Sequence, residues 1–335
     1  MKIHYISDHS VLEYDEVQLF LDLGHEVFSN GAYLDPNGHI TLPRPGLKGG
    51  KAYPEYVKLA VENPRTEMPA ELIDPFDLII VMHSPNVIIQ NWERFKGHNV
   101  VWRSIGQSTA HIEGALKKCR DEGLKIVRYS PKERNIAGFI GEDAMIRFYK
   151  DENVYKDWNG KNGDVLSFAQ SLKGRRSFCH YDEIFEVISH FNGKVYGPGN
   201  EDLGEFNGGQ VPYEKQVELM QGAVAMPYGG TWPAPYTLSF IEALMTGLPI
   251  VSISKTLAHY RQYEAIDFYE VDELLAEIGG IVCDDEEQMI EQTQRLIDDP
   301  DHARIISEKQ RELALRLFSK KVIGEEWEKF LNECM

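Results

Sequence analysis

The sequence predicts an α/β protein made of two parallel-sheet units. Strand-like and helix-like segments alternate along the whole chain, the pattern that builds parallel sheets covered on both faces. Glycines such as Gly24 and Gly123 sit just past helix-like segments, where a left-handed residue ends a helix. At 335 residues the chain exceeds the usual size of one core.

The elements follow in order. In the first half, strands are expected at Lys2–Ile6, His25–Phe28, Asp77–Met82, Asn99–Trp102 and Lys125–Arg128. Helices are expected at Leu12–Leu23, Tyr53–Glu62, Asn86–Phe95 and His111–Glu122. Asn30 to Gly50, rich in Gly and Pro, reads as a long loop of the kind that often forms a functional lid. The polar, turn-rich stretch Asp151 to Gly163 reads as a domain junction. A second series of strands follows at Asp164–Ala169, Lys194–Tyr196, Ala223–Met226, Ile250–Ile253 and Ile281–Val282. Its helices are expected at Tyr181–Phe191, Tyr213–Gln221, Leu238–Thr246, Val271–Ala276 and Glu286–Asp298. Asp301 to Cys334 is a long amphipathic helical tail.

Composition narrows the function. A formal net charge of −18 argues against nucleic acid as a partner, which needs a basic surface. Cys119, Cys179, Cys283 and Cys334 show no C-x-x-C spacing, so neither a thiolate zinc site nor a redox pair is expected. Free thiols fit a reducing cytoplasm. The chain opens on a strand-like segment rather than a signal peptide. No apolar run approaches the roughly 20 residues that span a membrane.

In open parallel sheets, ligands bind beyond the carboxyl ends of the strands. Three such loops in the second half share a character. Gln170-Ser171-Leu172-Lys173-Gly174-Arg175-Arg176 is basic in an acidic protein. Gly197-Pro198-Gly199-Asn200 is a tight turn, and Pro227-Tyr228-Gly229-Gly230-Thr231-Trp232 is Gly-rich. The last leads into Ala234 to Val251, which reads as loop, helix, Gly247 stop and buried strand, with Ser239 as the expected N-cap. A helix start presents amides suited to a phosphate. Glu242, one turn in, has two open readings. It can accept hydrogen bonds from ligand hydroxyls, or it can close a capping box with Ser239. In the first half, Ser7-Asp8-His9, His83-Ser84 and Arg103 to Ser108 follow strands. A histidine in such a place can exchange a proton or hydrogen bond with a bound hydroxyl. His111, near a helix start, suits that role less. No D-x-D pair stands in a suitable loop, and Asp284-Asp285 reads as a helix cap, so no metal site is expected.

Together these segments resemble the donor domain of GT-B glycosyltransferases, especially the retaining family-four, glycogen-synthase-like branch. The E-A-x-x-x-G-x-P-[IV]-V signature is matched by Glu242, Ala243, Gly247, Pro249, Ile250 and Val251. The first half matches by architecture alone. The resemblance implies two Rossmann-like domains facing a cleft, at 1–155 and 156–318. Residues 319–335 would form a helix crossing back to the first domain, anchored by Trp327 and Phe330. It implies transfer of a sugar, with retention and without a cofactor or metal, from a UDP-, GDP- or ADP-sugar. The acceptor hydroxyl would belong to a glycan, a lipid-linked sugar or a small molecule. Glu242 would bind the ribose hydroxyls, and Thr237, Leu238 and Ser239 the phosphates. Arg175, with Lys173 as competing candidate, would neutralise the leaving diphosphate. Gly199 and Tyr213 would lie near the base. Gly229, Gly230 and Thr231 would approach the sugar, and His83 would contact it from the first domain. Two positions depart from the family's pattern. Ala234 stands eight residues before Glu242, where a second glutamate is usual, and Ser7-Asp8-His9 replaces a Gly-Gly loop. A sugar-nucleotide epimerase of the same fold and a nucleotide-sugar-binding protein without catalysis remain as alternative readings.

Overall fold

The computed structural model describes residues 1–34, 44–260 and 267–334. The chain divides into two units, Met1–Phe148 with Ile323–Met335, and Tyr149–Val322. The polar stretch read as a junction belongs to the second unit. There Trp158 donates its indole N–H to the Ala223 carbonyl (2.7 Å) and Asn159 N–H bonds Gln221 O (2.9 Å). The loop expected over Asn30 to Gly50 lies partly outside the described residues.

Among its described residues, unit 1 is built on six strands: β1 (Lys2–Ser7), β2 (Glu26–Asn30), β3 (Leu78–Met82), β4 (Val100–Arg103), β5 (Lys125–Arg128) and β6 (Ala144–Met145). They pair in the order β2-β1-β3-β4-β5-β6, parallel throughout. Leu78 to Met82 are buried without alternation, as a central strand covered on both faces requires. Helices Ser10–Asp22, Pro54–Glu62, Pro85–Phe95 and Ala110–Asp121 supply the cover. Two of them start with proline, whose missing N–H costs nothing at that position. Ile79, Val81, Ile88, Trp92, Phe95, Trp102, Leu116 and Ile126 form one core layer. The terminal helix, Lys320–Cys334, completes this unit's packing. Trp327 is fully buried, edge-on to Phe20 at 5.0 Å.

In unit 2, β7 (Leu166–Phe168), β8 (Lys194–Tyr196) and β9 (Asn207–Gly209) form one parallel sheet. The second sheet holds β10 (Met226–Tyr228), β11 (Ile250–Ile253) and β12 (Ile281–Cys283). A parallel bridge between Val165 and Ala225 joins them. The resulting order is β9-β8-β7-β10-β11-β12, which reverses direction between β7 and β10. The third strand of the second series lies at Met226–Tyr228 rather than Ala223–Met226. Every residue from Ala223 to Tyr228 is buried, so apolar character alone could not set its limits. Among the described residues, no helix is long and apolar enough to cross a membrane.

Candidate functional site

The strand order of unit 2 reverses between β7 and β10, the place where a doubly wound sheet holds its ligand crevice. The basic loop leaves β7 there, and the Gly-rich loop leaves β10. The loop after β7 is held by Asn200, which is fully buried. Its amide donates to the carbonyls of Ala169 (2.7 Å) and Gly197 (3.0 Å), and its oxygen accepts from Leu172 N–H (2.9 Å). Ser171 N–H bonds Pro198 O (2.9 Å). Gly199 fits here because a Cβ would meet Ser171 Oγ at 2.2 Å, on a backbone with φ 76°. The G-P-G turn is therefore a close-packing device for the basic loop, and nothing in the sequence pattern singled out Asn200 as its tie.

Within that loop, Arg176 is drawn away. It pairs with Asp182 and lies over the Tyr181 ring at 5.0 Å. Arg175 is half-buried and Lys173 exposed, and neither has an ion-pair partner among the described residues. Gly229 packs so closely that a Cβ would stand 2.9 Å from His180 Cβ. Gly229, Thr231 and Ala234 line a small pocket with His180, Trp232, Ala258, Phe268 and Tyr269. Gly230 lies beside them with its backbone at φ 71°.

The helix beyond the Gly-rich loop runs over Leu238–Thr246, as expected, and ends at Gly247 (φ 87°). Its start differs in detail. The N-cap is Thr237, not Ser239, so the capping box does not form. Thr237 N–H donates to the Tyr228 hydroxyl (2.9 Å), and the Thr237 and Ser239 hydroxyls lie 2.9 Å apart. The Thr237 amide is thus committed within the protein, whereas Leu238 and Ser239 occupy the first turn, whose amides have no intrahelical partner.

Glu242 is 3% exposed. Its Oε1 accepts from Lys150 Nζ (2.8 Å) and the Tyr155 hydroxyl (2.9 Å), and its Oε2 accepts from Gln216 Nε2 (2.7 Å). Lys150 is itself 1% exposed. Tyr213 opens the helix that carries Gln216 and stands edge-on to Tyr155 at 6.0 Å. None of the three partners was singled out from the sequence. They come from elements far along the chain, with no local motif to mark them.

In unit 1 the order reverses between β1 and β3. Asp8 follows β1, accepting from Ser84 and pairing with Arg65. His9 caps the first helix by accepting from Leu12 N–H (3.3 Å). His83 sits just after β3 in the left-handed region (φ 68°), an uncommon place for a side chain and one that clusters at functional sites. Burial holds its pKa below the ordinary 6.5, against the opposing pull of Asp8. Arg103 is not part of an open edge. It is fully buried, bonding Glu16 (2.9 Å) and the carbonyls of Arg128 (3.1 Å), Ile146 (2.7 Å) and Arg147 (3.3 Å). Asp285 caps the helix Glu286–Asp298 by accepting from Gln288 N–H (2.8 Å).

No family model matches the chain, and no curated protein matches it by sequence. Solved structures do. HepE of Anabaena in complex with UDP aligns over 99% of this chain and 100% of its own, at 14% identity and a TM-score of 0.69. HepE with UDP-glucose gives 0.68 at the same identity and coverage. Sucrose-phosphate synthase from Thermosynechococcus elongatus aligns over 99% of this chain and 98% of its own, at 14% identity and a TM-score of 0.68. A glycosyltransferase from Rickettsia africae gives 0.66 at 11% identity, over 99% and 98%. With its parallel sheets and this likeness over nearly its whole length, the chain has the GT-B fold of glycosyltransferases.

Proposed function

We propose that this protein transfers a sugar from a UDP-sugar to an acceptor hydroxyl. The observation that carries the reading is the convergence at the β7/β10 reversal. The loop with Lys173 and Arg175 leaves β7, and the Gly229–Thr231 loop that leads to the helix start at Leu238 and Ser239 leaves β10, the two strands on either side of the reversal. HepE, of the same fold, has been solved with UDP and with UDP-glucose.

The chemistry follows from charge. Breaking the sugar–phosphate bond leaves negative charge on the diphosphate. Two cations and first-turn amides, aimed beforehand at that charge, stabilise it as it develops. Glu242 would take the ribose hydroxyls, and Tyr213 and Gly199 would flank the base. His83, kept neutral by burial near pH 7, would hydrogen-bond a hydroxyl without carrying charge. Retention, independence from metal and a cytoplasmic setting complete the reading.

Thermal shift with UDP-, GDP- and ADP-sugars is the first test, since a ligand of the folded state raises the midpoint. UDP-sugars are expected to give the largest shift, undiminished by a chelator. Release of UDP from a shifting donor, with the product's anomeric configuration read by NMR, then tests transfer and retention. No shift with any nucleotide sugar would overturn the proposal.

A second reading has one observation behind it. Ala234 brings no carboxylate to the small pocket beside Thr231. If UDP-glucose binds but neither UDP release nor sugar interconversion follows, the protein is a nucleotide-sugar binder. Interconversion would identify an epimerase.

A further inference from the structure

The partners of Glu242 differ in how easily they leave. Lys150 is fixed by its backbone, whose N–H bonds Phe318 O (3.0 Å) in a strand-like bridge to Ser319. Removing its ammonium from Oε1 would strand two buried charges. Tyr155 is 1% exposed and packed against Tyr213. Gln216 is neutral, half-buried and on the first turns of the helix Tyr213–Gly222, so its amide can exchange Oε2 for water by side-chain rotation. At 3% exposure, Glu242 can meet a ligand only if a neighbour gives way.

We propose that Gln216 is a specificity-determining gate: its amide occupies the place of the nucleoside's ribose hydroxyls on Glu242 and swings out when a ribonucleoside diphosphate binds. Lys150 and Tyr155 stay on Oε1 and hold the carboxylate in position, while Oε2 is handed from Gln216 to the ribose. The inference rests on the reading of Glu242 as the ribose acceptor. A closed gate lowers the apparent affinity by the fraction of molecules in which it is open. It also favours ligands whose hydroxyls can replace the amide.

Calorimetric titration of UDP and of 2′,3′-dideoxyuridine diphosphate tests this on the wild type, Gln216→Ala, Gln216→Asn and Glu242→Gln. With the gate removed, Gln216→Ala is expected to bind UDP about 3- to 10-fold tighter and the dideoxy compound unchanged. Gln216→Asn, one methylene shorter, is expected to move the same way and serves if the alanine variant folds poorly. Weaker or unaltered UDP binding in the Gln216 variants, or equal gains for both ligands, would overturn the gate. Glu242→Gln separates the two levels. If it weakens UDP and spares the dideoxy compound while the Gln216 variants change nothing, only the gate fails. If it leaves UDP binding unaltered, the ribose reading falls and the gate with it.

Discussion

Glu242 shows how one residue's role depends on where a helix begins. A start at Ser239 would turn its carboxylate back onto the first amides, but the start at Thr237 places it further in, against Lys150, Tyr155 and Gln216. Breaking a buried ion pair from one side leaves the other charge uncompensated. Lys150→Met is therefore expected to lower stability by about 3 kcal/mol, measured by urea unfolding. His4 makes a pH prediction. It is wholly buried between Leu72 O (2.8 Å) and Asn30 (3.2 Å), and burial lowers its pKa from 6.5 to about 4. The folded state stays neutral where the unfolded chain takes a proton. Stability is thus full above pH 6.5 and falls as the pH drops toward 4, by about 3 kcal/mol in all. Denaturant midpoints across that range should decline, and His4→Gln should flatten the decline.

At the scale of elements, the ends of strands and helices carry the candidate site. Gly247 combines φ 87° with a close approach, since a Cβ would stand 2.7 Å from Ser307 Oγ. Gly247→Ala is expected to cost about 1–3 kcal/mol, read as a lower denaturation midpoint. The basic loop gives a functional prediction. Arg175 is half-buried and Lys173 exposed. With UDP release as the assay, Arg175→Ala is expected to lower kcat about 100-fold and Lys173→Ala less. A larger effect at Lys173 would reverse their roles. Most elements were legible because the hydrophobic period changes from helix to strand along the chain. The exceptions have physical causes. β9 is Asn207-Gly208-Gly209, residues depleted in strands, and forms only because β8 offers its edge. β6 has two residues, too few for a period. The short helix Arg176–Cys179 begins on the last residue of the loop read as basic.

At the scale of the molecule, unit 1 is discontinuous in sequence and closes with the chain's last residues. Trp327 lies against Phe20 and beneath Arg103, whose guanidinium is 5.4 Å from its ring. Its indole N–H has no partner among the described residues. Trp327→Ala is expected to cost about 3–5 kcal/mol, and Trp327→Phe much less, because packing rather than a hydrogen bond is what the indole contributes. Equal losses in chemical unfolding would contradict that account.

The sequence by itself determined the alternation of strands and helices, the basic and Gly-rich loops at strand ends, and the Gly247-x-Pro249 stop before β11. These are local properties, set by side-chain polarity, backbone permissiveness and spacing within a few turns. Only the tertiary structure decided which strands flank each order reversal, that Arg103 is buried rather than open, and that Glu242 meets Lys150, Tyr155 and Gln216. Burial leaves a periodic trace in a sequence. The partner of a buried charge does not, because Tyr155 and Glu242 are 87 residues apart and meet only when the sheets are assembled.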